Sequence, residues 1–182
     1  MGSINTVITA KMQDFESLAL AAKQIGALME REPLFLCIGT DKVVEDCLGP
    51  LCGDAISLLT RFPVYGALKR PVHRENLAFS IDAAKVLHPQ KSIWAIDAGI
   101  CDFAEPGQII ISNSPVLAAG SILCGDFSIV GVTSPATKTG HMHGSGLGLV
   151  SALAGSIAMM VAMALDERAK LVKSAKSFAR NS

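Results

Sequence analysis

The sequence predicts an α/β fold, a central and mostly parallel sheet covered by helices on both faces. Three observations predict it. Short apolar runs alternate with longer stretches of helical periodicity. The strongest runs, Leu34–Ile38 and Ser92–Ile96, are almost continuously apolar, as strands buried on both faces are. The composition, 50% hydrophobic and 18% charged over 182 residues, suits one full core and is the reverse of a disordered chain's.

Each element has a local reason. Asp14 can cap a helix from Phe15 to about Glu30, with Phe15, Leu18, Ala22, Ile25 and Met29 on one face. The strand Leu34–Ile38 follows. Gly49-Pro50 opens a second helix with proline in its first turn, and Leu51, Ala55, Leu58 and Phe62 form its expected stripe. A weak strand is expected at Val64–Leu68. A third helix runs from near Arg74 to Leu87, with Leu77, Ile81 and Ala84 inward and Pro89 beyond its end. Ser92–Ile96, Gln108–Ser112 and Ser128–Thr133 are strands, and a long last helix starts near Gly146. No repeat or linker interrupts the chain, so residues 1–182 read as one domain. It comprises a helical segment at about 14–31, a core at 34–165 and a charged helical tail to about 178.

Composition excludes several functions. Lys plus Arg and Asp plus Glu each total 16, and aromatics are 5%. Neither phosphate neutralisation nor base stacking is favoured, so no nucleic-acid partner is expected. Five cysteines without a C-x-x-C pair fit a reducing, cytoplasmic compartment. Lys11, Asp14 and Glu16 break any apolar signal region at the N-terminus. Leu147–Leu165 is uncharged and reaches the lower length range of a membrane span. Its Gly, Ala, Ser and Met content and charged continuation favour a buried helix, so no membrane is expected. The apolar composition is compatible with a homodimer.

Sites in open α/β sheets lie beyond the carboxyl ends of strands. Two acids fall there. Asp97 follows an apolar strand, where desolvation raises a carboxyl pKa. Asp46 precedes the helix opened by Gly49-Pro50, whose positive end favours the ionised form. Carboxylates in opposed environments suit general acid and general base roles, and would titrate as a pair. Thr40, Asp41, Glu45 and His73 are supporting candidates. Plain structural roles also fit: Asp46 as a cap, Asp97 as an acceptor of loop amides, His73 as a helix-start residue.

His141 and His143 form an H-x-H pair that, with Asp46 or Asp97, would make a metal site for nickel or zinc. A solvated or locally hydrogen-bonded loop is the simpler reading of the pair, because two ligands specify little, and no cofactor is specified. Gly144-Ser-Gly-Leu-Gly148 lacks the spacing of a dinucleotide loop and the lysine of a Walker loop. Cys47 lies among acids that disfavour a thiolate, which argues against a nucleophile there.

These segments resemble the YyaC-type sporulation proteins of spore-forming bacteria. The resemblance rests on Cys37-Ile-Gly-Thr-Asp41, Asp46-Cys-Leu-Gly-Pro50, Tyr65-Gly-Ala-Leu68, Pro71-Val-His73 with Asn76-Leu77, Ala95-Ile-Asp-Ala98, Gly125-Asp126 and Ser128-Ile-Val-Gly131. It covers roughly residues 34–165. It implies kinship with the spore germination protease, whose similar elements place catalytic aspartates at Asp46 and Asp97. It also implies a phosphorylase/hydrolase-like three-layer α/β/α fold shared with the hydrogenase maturation proteases, whose nickel-binding acids fall at the same two positions. The chain departs from the family pattern at Glu45, where a small residue is usual. It is also shorter than the germination protease and has no obvious propeptide.

The resemblance implies a cytoplasmic, sporulation-associated peptidase, with the forespore as a candidate compartment, acting on a protein or peptide through Asp46 and Asp97. The alternatives are a nickel- or zinc-binding maturation-protease-like protein and a catalytically silent binding module, which Glu45 suggests.

Overall fold

The computed structural model describes residues 6–101, 103–118, 120–135 and 146–180. Among the described residues eight strands and four helices follow in order: β1 (Val7–Lys11), α1 (Phe15–Leu28), β2 (Pro33–Cys37), α2 (Leu48–Leu59), β3 (Val64–Tyr65), α3 (Leu77–Leu87), β4 (Ser92–Cys101), β5 (Gln108–Ser112), β6 (Val116–Ala118), β7 (Ile122–Cys124), β8 (Phe127–Pro135) and α4 (Leu147–Arg180). A 3-10 turn at Glu45–Cys47 leads into α2.

The main sheet runs β1-β5-β8-β4-β2-β3. Its β8, β4, β2 and β3 are parallel, whereas β5 is antiparallel to both β1 and β8. The β6–β7 hairpin stands apart from this sheet. The fold is therefore a three-layer α/β/α arrangement with a mostly parallel sheet.

Strand alternation explains why β2 and β4 are apolar on both sides. Phe35, Cys37, Trp94 and Ile96 join the core built with α1, α2 and α4. Leu34, Leu36, Ile93 and Ala95 join a second core with Leu77, Ile81 and Ala84 of α3 and with Ala118 and Cys124 of the hairpin. Trp94 is fully buried; its Nε1–H donates to Ser92 Oγ at 3.1 Å and its ring stacks on Phe127 at 4.2 Å.

Several expectations need correction. The stripe of α2 is Leu48, Cys52 and Ile56, because the helix begins at Leu48; Leu58 is 87% exposed. Of the face expected for α1, Leu18, Ala22, Ile25 and Met29 are buried and Ala21 joins them, but Phe15 is 65% exposed. The helix expected from near Arg74 starts at Leu77, and the Val64–Leu68 strand shortens to Val64–Tyr65. β4 does not end at Ile96 but continues to Cys101, so Asp97 lies within it. The strand β1 and the hairpin were not anticipated.

Leu147–Phe178 is apolar and long enough to cross a membrane by length and composition, but half of its most apolar stretch is buried in the protein. Val150, Leu153, Ile157 and Val161 of α4 are core residues packed with those of α1 and α2.

Candidate acid pair in a strand-end cleft

The site forms where β2 stops and β4 continues. Ile38 N–H donates to the Ile96 carbonyl at 2.7 Å, then the chain swings away and Gly39 N–H donates to the Val72 carbonyl at 2.8 Å. The turn after β2 folds back on the start of α2: Thr40 N–H donates to the Asp46 backbone carbonyl at 3.2 Å. Gly39 has φ of +144°, and a Cβ there would lie 1.9 Å from that same carbonyl oxygen. A Cβ on Gly49 would lie 1.9 Å from the Ile38 carbonyl oxygen. Both glycines are required by close backbone approach, and both fix Asp46 relative to the sheet.

Asp46 and Asp97 line one cleft of about 350 Å³, together with Ile38, Gly39, His73, Arg74, Ala98, Ile100 and Leu117. Burial pushes the Asp97 carboxyl up to about 7, against the opposing Ala98 N–H bond to Oδ1 at 2.9 Å; the Asp46 charge adds to the rise. Asp46 is also raised, chiefly by burial, while the Thr40 amide and the nearby His73 pull it down. Burial thus outweighs the favourable helix terminus. Asp46 sits in the turn after β2, whereas Asp97 lies in the middle of β4 and not at a strand end as expected.

The supporting candidates separate. His73 lines the cleft; its backbone N–H donates to Asn76 Oδ1 at 2.8 Å and its Nδ1 accepts from Glu75 N–H at 3.4 Å. Thr40, Asp41 and Glu45 do not line the cleft. Thr40 Oγ1 accepts from Lys42 N–H at 3.3 Å and shapes the turn. Asp41 is exposed, and its charge is felt at Cys47. Glu45 is buried, at 7% exposure.

Sequence reasoning missed Arg74, Ile100, Leu117 and Cys124. Leu117 comes from the unanticipated hairpin, and Ile100 from the unanticipated extension of β4. Cys124 is pushed up to about 11 by burial and by the Asp97 charge. His141 and His143 lie outside the described residues. Among the described residues no three His, Cys, Asp or Glu side chains are grouped to hold a metal ion. Asp46 and Asp97 alone supply too few donors for nickel or zinc.

Residues 6–160 match a family described as "Protein of unknown function (DUF1256)". The chain belongs to this family. It is also 33% identical over 143 residues to the "Uncharacterized protein YyaC" of Bacillus subtilis (strain 168), covering 73% of this chain and 65% of the relative. The DUF1256 chain thus spans about 65% of the length of that curated relative. The YyaC-type membership expected from the motifs therefore holds. Asp46, His73 and Asp97 all fall inside the region that defines the DUF1256 match.

Proposed function

We propose that this DUF1256 protein is a peptidase-type hydrolase in which Asp46 and Asp97 act as a general base and a general acid. One observation carries the reading: two partly buried carboxyls line the same cleft, and one of them holds its proton to about neutral pH. Asp46, raised less far, takes a proton from the attacking water. Protonated Asp97 donates to the carbonyl oxygen or the leaving amine. The two titrate as a coupled pair, so the proton distribution belongs to both.

The motif resemblance to the germination protease supports this chemistry, because it implies catalytic aspartates at Asp46 and Asp97; the resemblance to the hydrogenase maturation proteases implies nickel-binding acids there and supports the metal-dependent alternative. The YyaC-type resemblance supports a role in the cytoplasm of a sporulating cell. The five free cysteines are consistent with a reducing compartment.

The test is incubation of a proteome-derived peptide library with the wild type, Asp46→Asn and Asp97→Asn, read by mass spectrometry. The reading expects products from the wild type that both variants fail to make. The same products from Asp97→Asn would sink it. The metal-dependent alternative requires His141 or His143 beside these acids; titration with Ni²⁺ and Zn²⁺ against Asp46→Asn decides it.

A further inference from the structure

β2 and β4 differ in reach. Their ladder runs from Pro33↔Ser92 to Cys37↔Ile96. Ile38 then leaves to bridge Val72. β4 continues along β8 as far as Cys101↔Pro135. Among the described residues, therefore, Ala98–Cys101 beyond Asp97 are held on the β8 edge alone.

The backbone of a strand presents the N–H and C=O of one residue to one edge and those of the next residue to the other. The Ile96 carbonyl faces the β2 side, where it accepts from Ile38. Ala98 and Ile100 therefore present their groups to that side. The Gly99 carbonyl faces the β8 side, where Thr133 Oγ1 donates to it at 3.5 Å. The Ala98 N–H is taken by Asp97 Oδ1. Among the described residues nothing bonds to the Ala98 carbonyl or to the Ile100 N–H and carbonyl on this edge. The edge borders the acid-pair cleft, with Ile100 39% and Leu117 59% exposed.

We infer that the substrate is an extended, unfolded polypeptide segment that binds as an added strand on the free β4 edge from Ala98 to Ile100. This deepens the hydrolase reading and rests on it for the nature of the ligand. An edge with a free carbonyl, amide and carbonyl in sequence is matched by the alternating groups of an extended chain. Main-chain bonding sets register along β4, so a peptide bond of the segment passes Asp97 and Asp46. Side chains on one face of the segment meet the apolar surface of Ile100 and Leu117, which selects an apolar residue beside the scissile bond. A folded protein has already used its backbone groups and offers no such strand.

The test selects binders from a random dodecapeptide library on full-length Asp97→Asn, whose asparagine Oδ1 can still accept from Ala98. Hydrogen exchange is then followed at residues 98–101 with each selected peptide. The expected result is slowing of Ile100 amide exchange by about tenfold or more, with binding weakened about tenfold by N-methylation at alternate backbone positions. An empty selection, or binders that neither protect Ile100 nor respond to N-methylation, overturns the inference. Cleavage of the same peptides by the wild type is scored separately. Edge protection without cleavage retires the hydrolase reading and keeps the strand site. Cleavage without edge protection does the opposite.

Discussion

Burial of Asp97 in the cleft it shares with Asp46 raises its proton affinity, to about 7, and the Asp46 charge adds to the rise. Asp97 therefore keeps its proton below about pH 7, and the two acids titrate as a coupled pair. This relationship sets the expected pH profile. Activity should rise as Asp46 ionises and fall as Asp97 loses its proton, with the alkaline limb near pH 7. Asp97→Asn should lower kcat by about 10²–10⁴-fold, the usual scale of a lost acid–base group. A profile of kcat/KM against pH for both proteins checks it; an alkaline limb that persists in Asp97→Asn would assign that limb elsewhere.

The same residue should make the fold less stable at high pH. The folded-state value of Asp97 lies above its ordinary value of 3.8, so between about pH 4 and 7 the folded chain keeps a proton that the unfolded chain releases. The unfolded state is favoured as pH rises through that window. Asp97→Asn cannot ionise and keeps an acceptor for the Ala98 amide. At pH 8 it should be more stable than the wild type by up to about 4 kcal/mol, with the gap closing toward pH 4. Urea unfolding at the two pH values measures this. A variant less stable than the wild type at pH 8 would contradict the desolvation argument.

Much of this arrangement was legible in residues. β2 and β4 announced themselves because both of their faces are buried, leaving no polar position in Leu34–Ile38. The acids were found because each follows such a run. What stayed hidden has physical causes. β1 alternates between exposed and buried positions, and its inward residues are only Ile8 and Ala10. β6 and β7 have three residues each and expose Leu117 and Leu123, so their apolar content gave no periodic signal. The stripe of α2 was misread because Pro50 marks a first turn, not a first residue, and the helix includes Leu48. The reach of β4 past Asp97 depends on pairing with β8, a tertiary fact that Asp97-Ala-Gly99 does not advertise.

The Gly39 contact predicts a second way to disable the site without touching an acid. Alanine at this position meets both a positive φ and a Cβ 1.9 Å from the Asp46 carbonyl oxygen. Gly39→Ala should cost about 2–4 kcal/mol of stability or displace the Asp46 turn, with loss of activity in either case. Gly148→Ala is the control, since its Cβ meets nothing within 4 Å and the position lies in α4. Thermal unfolding and activity measured on the pair test the argument. Wild-type behaviour of Gly39→Ala in both would show that the close approach does not hold Asp46.

Thiol reactivity gives the last prediction and separates carboxylate from cysteine chemistry. Cys37 and Cys52 are fully buried, and burial raises both thiols. Cys47 is raised by burial and then by the charges of Asp41, Asp46 and Asp54, and Cys124 reaches about 11. None of these four should form a thiolate at neutral pH. Cys101, half-exposed at the end of β4, is the accessible thiol. Iodoacetamide treatment of the native protein at neutral pH should therefore modify Cys101 and spare the other four, as peptide mass mapping will show. Peptidase activity should survive when Cys101 is first replaced by serine and the protein is then alkylated. Alkylation of Cys47 under those conditions, with loss of activity, would transfer the chemistry from the acid pair to the thiol beside Asp46.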